Sequence, residues 1–309
     1  MPLPMTETSP GAATATDAAS AGERAIDALR QAILASPRDV ELLSSLADLL
    51  SRSGAHEEAE RLFRQTLDLE PAHAETWYRR GLHEGRQGRV REARGAYDEA
   101  VRHDPRHVRA WVNLGLARAD LGERGEARRA LERAVIVDPA CAEAHTNLGI
   151  LYIESGLPEE AIAEFRDAVR LNPESGGAHF NLGWALLAED ELEPAEASLA
   201  HAARLDAGNP ETHYALALLH LKVGNYAAAV TDLKAALAIR PDDGRLHYHL
   251  AIAYNKQEAV DQAILALEQA ARLVTDDPRI HRLLGVCYDK KELPARARDA
   301  YRRAAALGG

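Results

Sequence analysis

The sequence predicts an all-α solenoid of eight helical hairpins, each 34 residues long, preceded by one unpaired helix. The first observation is a periodic proline, which stands at Pro37, Pro71, Pro105, Pro139 and Pro173 and again at Pro241. The second is that apolar residues in each unit fall at helical spacing in two segments separated by a glycine-containing break. The third is composition, because abundant alanine and only 5% aromatic residues favour closely packed helices over sheets.

Composition also argues against several classes of protein. Two cysteines are too few for a disulfide scaffold or a multi-cysteine zinc site. A formal net charge of −11 argues against nucleic acid as the main partner. The sequence has neither the long apolar run of a membrane span nor the apolar core of a secretory signal, so we expect no membrane insertion and a cytoplasmic location. Its charge is uneven, with a net −14 over residues 138–277 and a net +5 over 278–309.

The eight units cover residues 40–73, 74–107, 108–141, 142–175, 176–209, 210–243, 244–277 and 278–309. We number the residues of each unit as repeat positions, so that Val40 occupies position 1. Position 8 is always glycine or alanine, position 20 is always alanine and position 24 is large, as in Gly149, Ala161 and Phe165. Small residues let two helices approach closely, and the large one fills the gap between them.

Upstream of the eight units, residues 23–39 match only the second helix of a unit. Residues 1–22 are low in complexity and are expected to be disordered.

This pattern resembles the tetratricopeptide repeat (TPR) over residues 40–309. The unit AEAHTNLGILYIESGLPEEAIAEFRDAVRLNPES is similar to repeats in the superhelical region of the O-GlcNAc transferase family, and the chain also resembles magnetosome-associated TPR proteins. The resemblance implies a right-handed superhelix whose first helices line a concave groove. It implies no glycosyltransferase activity, since these residues include no such domain. The family's aromatic residue at position 4 is kept as Trp77 and Trp111 but is histidine in the last five units.

The resemblance also predicts which side chains face the groove. Position 6 carries Arg79 and then a ladder of Asn113, Asn147 and Asn181, whose carboxamides could hold the backbone of an extended peptide. Positions 5 and 9 are apolar in the second half of the chain, and position 13 carries lysines. The alternatives left open are that the asparagines only solvate a helix, that the apolar residues pack between helices, and that the lysines stay solvated. The residues concerned are Phe180, Trp184, Tyr214, Leu218 and Tyr248 for the apolar set and Lys222, Lys256 and Lys290 for the lysines.

No catalytic residue, metal site or cofactor is predicted. The histidines at position 4 lie one repeat apart, about 8–10 Å, so neighbours cannot share one zinc ion, and we expect them to replace the family's aromatic residue between helices. Phosphate-binding loops, nucleophile elbows and zinc-binding helix motifs are absent from the sequence.

The predicted function is that of a non-enzymatic scaffold or adaptor that binds a partner protein or peptide in the concave groove. One alternative is a self-assembling structural scaffold, a homo-oligomer in which the helix 23–36 docks on the next molecule. Another is a subunit that recruits substrates to a separate enzyme. Thirty-two arginines against five lysines indicate a GC-rich, bacterial genome.

Overall fold

The computed structural model describes residues 13–308, which form seventeen α-helices and no strand. The all-α class predicted from the sequence is therefore confirmed. The chain divides into two compact units, Met1–Leu171 and Asn172–Gly309.

Unit 1 contains one leading helix and four helical hairpins. In each hairpin the first helix has thirteen residues and the second has fourteen. The helices are α1 (Ala13–Ala35), α2 (Val40–Arg52), α3 (His56–Leu69), α4 (Ala74–Arg86), α5 (Val90–His103), α6 (Val108–Asp120), α7 (Arg124–Val137), α8 (Ala142–Glu154) and α9 (Pro158–Leu171).

Unit 2 contains four further hairpins of the same design, except that the last second helix has thirteen residues. Each first helix of unit 2 begins at repeat position 1 and is capped by the polar side chain of the preceding residue, as Asp243 accepts from the backbone N–H of Arg245. The helices are α10 (Gly176–Ala188), α11 (Leu192–Leu205), α12 (Pro210–Lys222), α13 (Tyr226–Ile239), α14 (Gly244–Lys256), α15 (Val260–Leu273), α16 (Pro278–Lys290) and α17 (Pro294–Ala306).

The two helices of a hairpin touch where position 8 faces position 24. A Cβ atom added to Gly149 would lie 2.6 Å from Cε1 of Phe165, and one added to Gly183 would lie 2.6 Å from Cγ of Leu199. Both distances are shorter than van der Waals contact, so the large side chain occupies the space that a larger residue at position 8 would need. The side chain of Phe165 is completely buried there.

The turn inside each hairpin places position 15 in the left-handed backbone region. Glycine takes this conformation in five of the eight repeats, for example Gly156 with φ of 72°. The other three repeats use Asp190, Glu258 and Glu292, with φ of 65°, 59° and 56°. Such a conformation costs a non-glycine residue about 1–3 kcal/mol.

An ion pair accompanies the left-handed residue in two of those three repeats. Asp190 accepts from Lys222 at 2.7 Å, and Glu258 lies 3.2 Å from the ammonium of Lys290. In both pairs the lysine comes from position 13 of the following repeat. Glu292 has no such ion pair among residues 13–308.

The leading helix α1 differs from the sequence prediction at its start. It begins at Ala13, so residues 13–22 form a helix where disorder was expected, while residues 1–12 lie outside the described residues. The run ATATDAASAG is rich in alanine, the strongest helix former, which explains the longer helix.

Helix α1 packs on the first hairpin of its own chain. Ile26 is buried in one cluster with Leu46, Leu50 and Phe63. The guanidinium of Arg30 lies 3.2 Å from the carboxylate of Glu58 on α3. Docking of α1 on a second molecule, as in the self-assembly alternative, stays a prediction.

Replacing Glu292 with glycine should stabilise the protein, because glycine removes the left-handed strain and no ion pair is lost. We expect a gain of up to about 1 kcal/mol in the free energy of unfolding, after the entropy cost of glycine is subtracted. Urea unfolding followed by circular dichroism measures it. The matched control is Glu193→Gly, an exposed site in the first turn of α11, which should lose up to about 1 kcal/mol because glycine is a poor helix former and a favourable acid at the helix N-terminus is removed. Destabilisation by both substitutions would contradict the assignment of strain to Glu292.

Candidate functional site

In unit 1, the position 6 residue Arg79 is occupied by internal contacts. Its guanidinium lies 2.7 Å from Glu41 and 2.9 Å from Glu75, and it donates to the hydroxyl of Ser45 at 3.1 Å. The side chain is only 17% exposed. Arg79 therefore ties the first helices α2 and α4 together, and little of its donor capacity is left for a partner.

The three position 6 asparagines are not equivalent. Asn113 donates from its side-chain amide to the backbone carbonyl of Arg109 at 2.9 Å and lies 3.5 Å from the hydroxyl of Tyr78. Asn147 in unit 1 and Asn181 in unit 2 are both half-buried and make no side-chain hydrogen bond within residues 13–308. Two of the three predicted carboxamides thus keep their full bonding capacity.

Two of the apolar residues predicted to face the groove are buried. Phe180 is 2% exposed and Tyr214 is 7% exposed, so neither offers a free surface to a partner. This corrects the expectation that they anchor a ligand directly. The reason is local packing, since Tyr214 shares a buried cluster with Leu246 and Leu250 of the following repeat.

The remaining apolar residues of the set are partly exposed. Trp184, Leu218 and Tyr248 each pack against the buried cluster of unit 2 with one side and are half-buried. The ring of Trp184 stacks on Phe180 with centroids 6.0 Å apart. The indole N–H of Trp184 has no hydrogen-bond partner in the described part of the chain.

A repeated tyrosine–arginine contact was missed by the sequence analysis. In unit 2 the guanidinium of Arg245 lies 5.6 Å from the ring centroid of Tyr214, and that of Arg279 lies 5.5 Å from Tyr248. Unit 1 has the same contact between Arg109 and Tyr78 at 5.1 Å. Each pair joins position 5 to position 2 of the next repeat, so a tyrosine followed 31 residues later by an arginine was the available signal.

His249 contacts both tyrosines that make this arginine contact in unit 2, Tyr214 and Tyr248. Its ring is edge-on to Tyr214 and to Tyr248, with centroids 5.3 Å apart in both cases. Nδ1 lies 2.8 Å from the backbone carbonyl of Arg245, so Nδ1–H donates there. Burial lowers the pKa of His249 below its usual value, and the nearby cations Arg279 and Arg245 lower it further.

Only one of the three predicted lysines is free. Lys222 and Lys290 pair with the left-handed acids Asp190 and Glu258 described above. Lys256 is exposed and makes no ion pair within residues 13–308. The corresponding left-handed position in its neighbour is Gly224, which has no carboxylate to offer.

The position 4 residues hold the turn between repeats. Trp77 donates from its indole N–H to the carbonyl of Pro71 at 2.8 Å. His179 and His247 make the same bond through Nε2, to Pro173 at 3.0 Å and to Pro241 at 2.9 Å. Histidine thus takes the place of the aromatic residue and keeps its hydrogen bond. This bond explains why histidine recurs at position 4 without any need for a metal ion. No group of three or more potential ligands suited to a metal ion occurs among the described residues.

Helical hairpins with this spacing and this packing define a tetratricopeptide repeat protein. The tetratricopeptide repeat model matches residues 13–74, 46–84 and 78–123. A second model, described as the cilia and flagella-associated protein 70 C-terminal domain, matches residues 107–309. This second match covers more than half of the chain, so the chain belongs to that family of TPR domains.

Solved structures share the fold. The crystal structure of MamA protein is 25% identical, with a TM-score of 0.51 over 54% of this chain and 91% of that chain. YrrB, described as a TPR protein with an unusual peptide-binding site, is 21% identical, with a TM-score of 0.55 over 64% of this chain and 98% of that chain. The Cut9–Hcn1 hetero-tetramer of APC/C is 20% identical, with a TM-score of 0.55 over 92% of this chain and 56% of that chain. No curated protein matches the sequence.

The comparisons confirm the TPR assignment and support a role in protein interaction, the general role of this fold. Likeness to the transferase family stays a prediction. Among the helices that the structure describes, none is both long enough and apolar enough to cross a membrane.

The buried histidines predict how stability depends on pH. The pKa values of His83, His179, His249 and His281 are all lowered, in each case mainly by burial. A histidine with a lowered pKa in the folded state binds fewer protons there than in the unfolded state. Its contribution is therefore intact above the unfolded-state pKa of about 6.5 and is lost as the pH falls below that value.

We expect the free energy of unfolding to fall as the pH is lowered from about 7.5 to about 5.5. His249→Phe keeps an aromatic ring beside both tyrosines and removes one titrating group, so the fall should become shallower. Urea unfolding at several pH values measures both slopes. Equal slopes in the variant and the wild type would show that His249 does not contribute.

Proposed function

We propose that this chain binds an extended segment of a partner protein on the first helices of unit 2. The surface consists of Asn181 and Trp184 on α10, Leu218 on α12, and Tyr248 and Lys256 on α14, and we call it the unit 2 surface. One observation carries the proposal. Three successive first helices each hold an apolar side chain half-exposed against a common core, and polar groups without partners accompany them.

The apolar side chains of this surface are held in place before any partner arrives. Trp184 is stacked on the buried Phe180, and Tyr248 lies between His249 and the guanidinium of Arg279. Large side chains that are already fixed lose little conformational entropy on binding. Tryptophan and tyrosine in such positions are the residues most often found to dominate binding energy.

The polar groups of the unit 2 surface indicate the chemistry of the segment. The carboxamide of Asn181 carries both donors and acceptors, so it matches the N–H and C=O groups of an extended backbone. The ammonium of Lys256 is exposed and unpaired, so it suits a carboxylate. The segment that fits best is extended, with apolar residues and at least one acidic residue.

Support for ligand binding is weaker for the other predicted residues. Asn147 presents the same free carboxamide on the first helix α8 of unit 1, and we propose that unit 1 binds peptide backbone there by itself. Arg79, Asn113, Lys222 and Lys290 already make internal contacts, so a partner would have to displace those contacts first. Phe180 and Tyr214 act by supporting Trp184 and His249. The adaptor role and the role of a substrate-recruiting subunit differ only in the identity of the partner.

The test is selection of binding peptides from a random phage-displayed library against the full chain, followed by affinity measurement on variants. Trp184→Ala should weaken binding at least tenfold, since loss of a central tryptophan costs about 2 kcal/mol or more. Asn181→Ala should weaken it about fivefold by removing a backbone hydrogen bond. Circular dichroism of each variant checks that the fold is retained.

The matched control is Leu265→Ala on the second helix α15. Leu265 is 63% exposed and lies outside the unit 2 surface, so its removal should leave affinity unchanged. If peptides bound the Trp184 variant as well as the wild type, or lost affinity only for the Leu265 variant, the proposed surface would be wrong.

A further inference from the structure

A second surface lies between the last two hairpins of unit 2 and shares no residue with the unit 2 surface. A groove of about 830 Å³ is lined by the second helices α15 and α17 and by the first helix α16. Leu284 and Ala300 contribute apolar surface to it, and Arg272, Arg296 and Arg303 line it with positive charge. Two of these arginines, Arg296 and Arg303, belong to residues 278–309, which carry a net charge of +5.

The three arginines of this groove have no carboxylate partner. None of them makes an ion pair within residues 13–308. Most of the other arginines in this part of the chain do make one. Arg296 is engaged with Tyr288, and its guanidinium lies over that ring at 5.8 Å from the centroid. The two carboxylates in the groove have other partners, because Glu268 accepts from the hydroxyl of Tyr288 at 3.1 Å and Asp299 pairs with Arg302 at 3.3 Å.

His281 supplies an independent observation. It occupies position 4, where six earlier repeats bond a tryptophan or histidine to the turn carbonyl six residues before. His281 is 8% exposed, lines the groove and makes no hydrogen bond to any described residue. The turn before it also differs, since the backbone bond found from Asp243 N–H to Arg240 C=O has no counterpart at Asp277.

The imidazole of His281 is available to a ligand. The six earlier members of the series each bond a ring nitrogen to the turn carbonyl, whereas the ring nitrogens of His281 have no partner among the described residues and keep some exposure to solvent. Because its ring lines the groove, a ligand can supply the missing partner. Burial lowers the pKa of His281, and the positive charge of Arg303 lowers it further. The imidazole and this guanidinium therefore lie close together in the same groove.

We propose that this groove binds an acidic peptide segment. Carboxylates of the segment pair with Arg272 and Arg303 from opposite walls, while the ring N–H of His281 donates a hydrogen bond to the segment. An apolar residue of the segment packs on Leu284 and Ala300. A compact dianion such as phosphate fits less well, because Glu268 and Asp299 would repel it. A peptide spaces its carboxylates apart and offers backbone N–H groups to those same acids.

The test uses the full chain and a fluorescein-labelled synthetic peptide of alternating glutamate and leucine, with binding followed by fluorescence anisotropy. Arg272→Ala and Arg303→Ala should each raise Kd about threefold to fivefold, the effect of one exposed ion pair. The control is Arg298→Ala, an exposed arginine of the same helix α17 that does not line the groove, and it should leave Kd unchanged. Urea unfolding confirms that each variant is folded.

Two further arms decide what the result means. Trp184→Ala should not change binding of this peptide, which separates the groove from the unit 2 surface, whose own test can fail independently. Inorganic phosphate should displace the peptide no better than sodium chloride of equal ionic strength. Absence of saturable binding, equal Kd values for the wild type and both groove variants, or displacement by phosphate alone would each overturn the proposal.

Discussion

The structure depends on one contact that recurs in every hairpin, between the small residue at position 8 and the large residue at position 24. A Cβ atom added to Gly81 would lie 2.4 Å from a ring carbon of Tyr97, and one added to Gly285 would lie 2.4 Å from a ring carbon of Tyr301. The interlocking of these residues fixes the separation of the two helices, and that separation determines which side chains of the first helix are left outside the core. The half-exposed row of Trp184, Leu218 and Tyr248 is a consequence of that geometry.

A second constraint acts between hairpins. The position 4 side chain closes the inter-repeat turn by donating to a carbonyl six residues earlier, whether it is Trp111 or His213. Tryptophan and histidine share a ring N–H in a suitable place, so the change from one to the other in the later repeats preserves the bond. Residue types that suggest metal binding in a sequence are here part of the scaffold. They become notable only where the bond is missing, as at His281.

The fold could be predicted from the sequence because the pattern that specifies it repeats. The proline spacing recurs several times, and so do the small residues at positions 8 and 20 and the large residue at position 24. Each recurrence makes a chance match to the repeat pattern less probable. The burial of individual groove residues could not be predicted, since it depends on the partner that the next repeat supplies. Tyr214 is covered by residues that include Arg245, and Phe180 is buried too, although both occupy a position that the family resemblance assigns to the groove. The early start of α1 was missed because a low-complexity run was given more weight than its alanine content.

The lysines show most clearly how one repeat determines the chemistry of another. Asp190 and Glu258 adopt a backbone conformation that favours glycine, and each is compensated by a lysine of the following repeat. An exposed ion pair contributes only about 0.2–1 kcal/mol, so it offsets part of the strain and removes the lysine from the surface available to ligands. Where the turn keeps glycine, as at Gly224, the backbone is unstrained and the next lysine, Lys256, remains free. Whether a position 13 lysine is available to a partner is therefore determined by a turn residue 32 positions earlier in the chain.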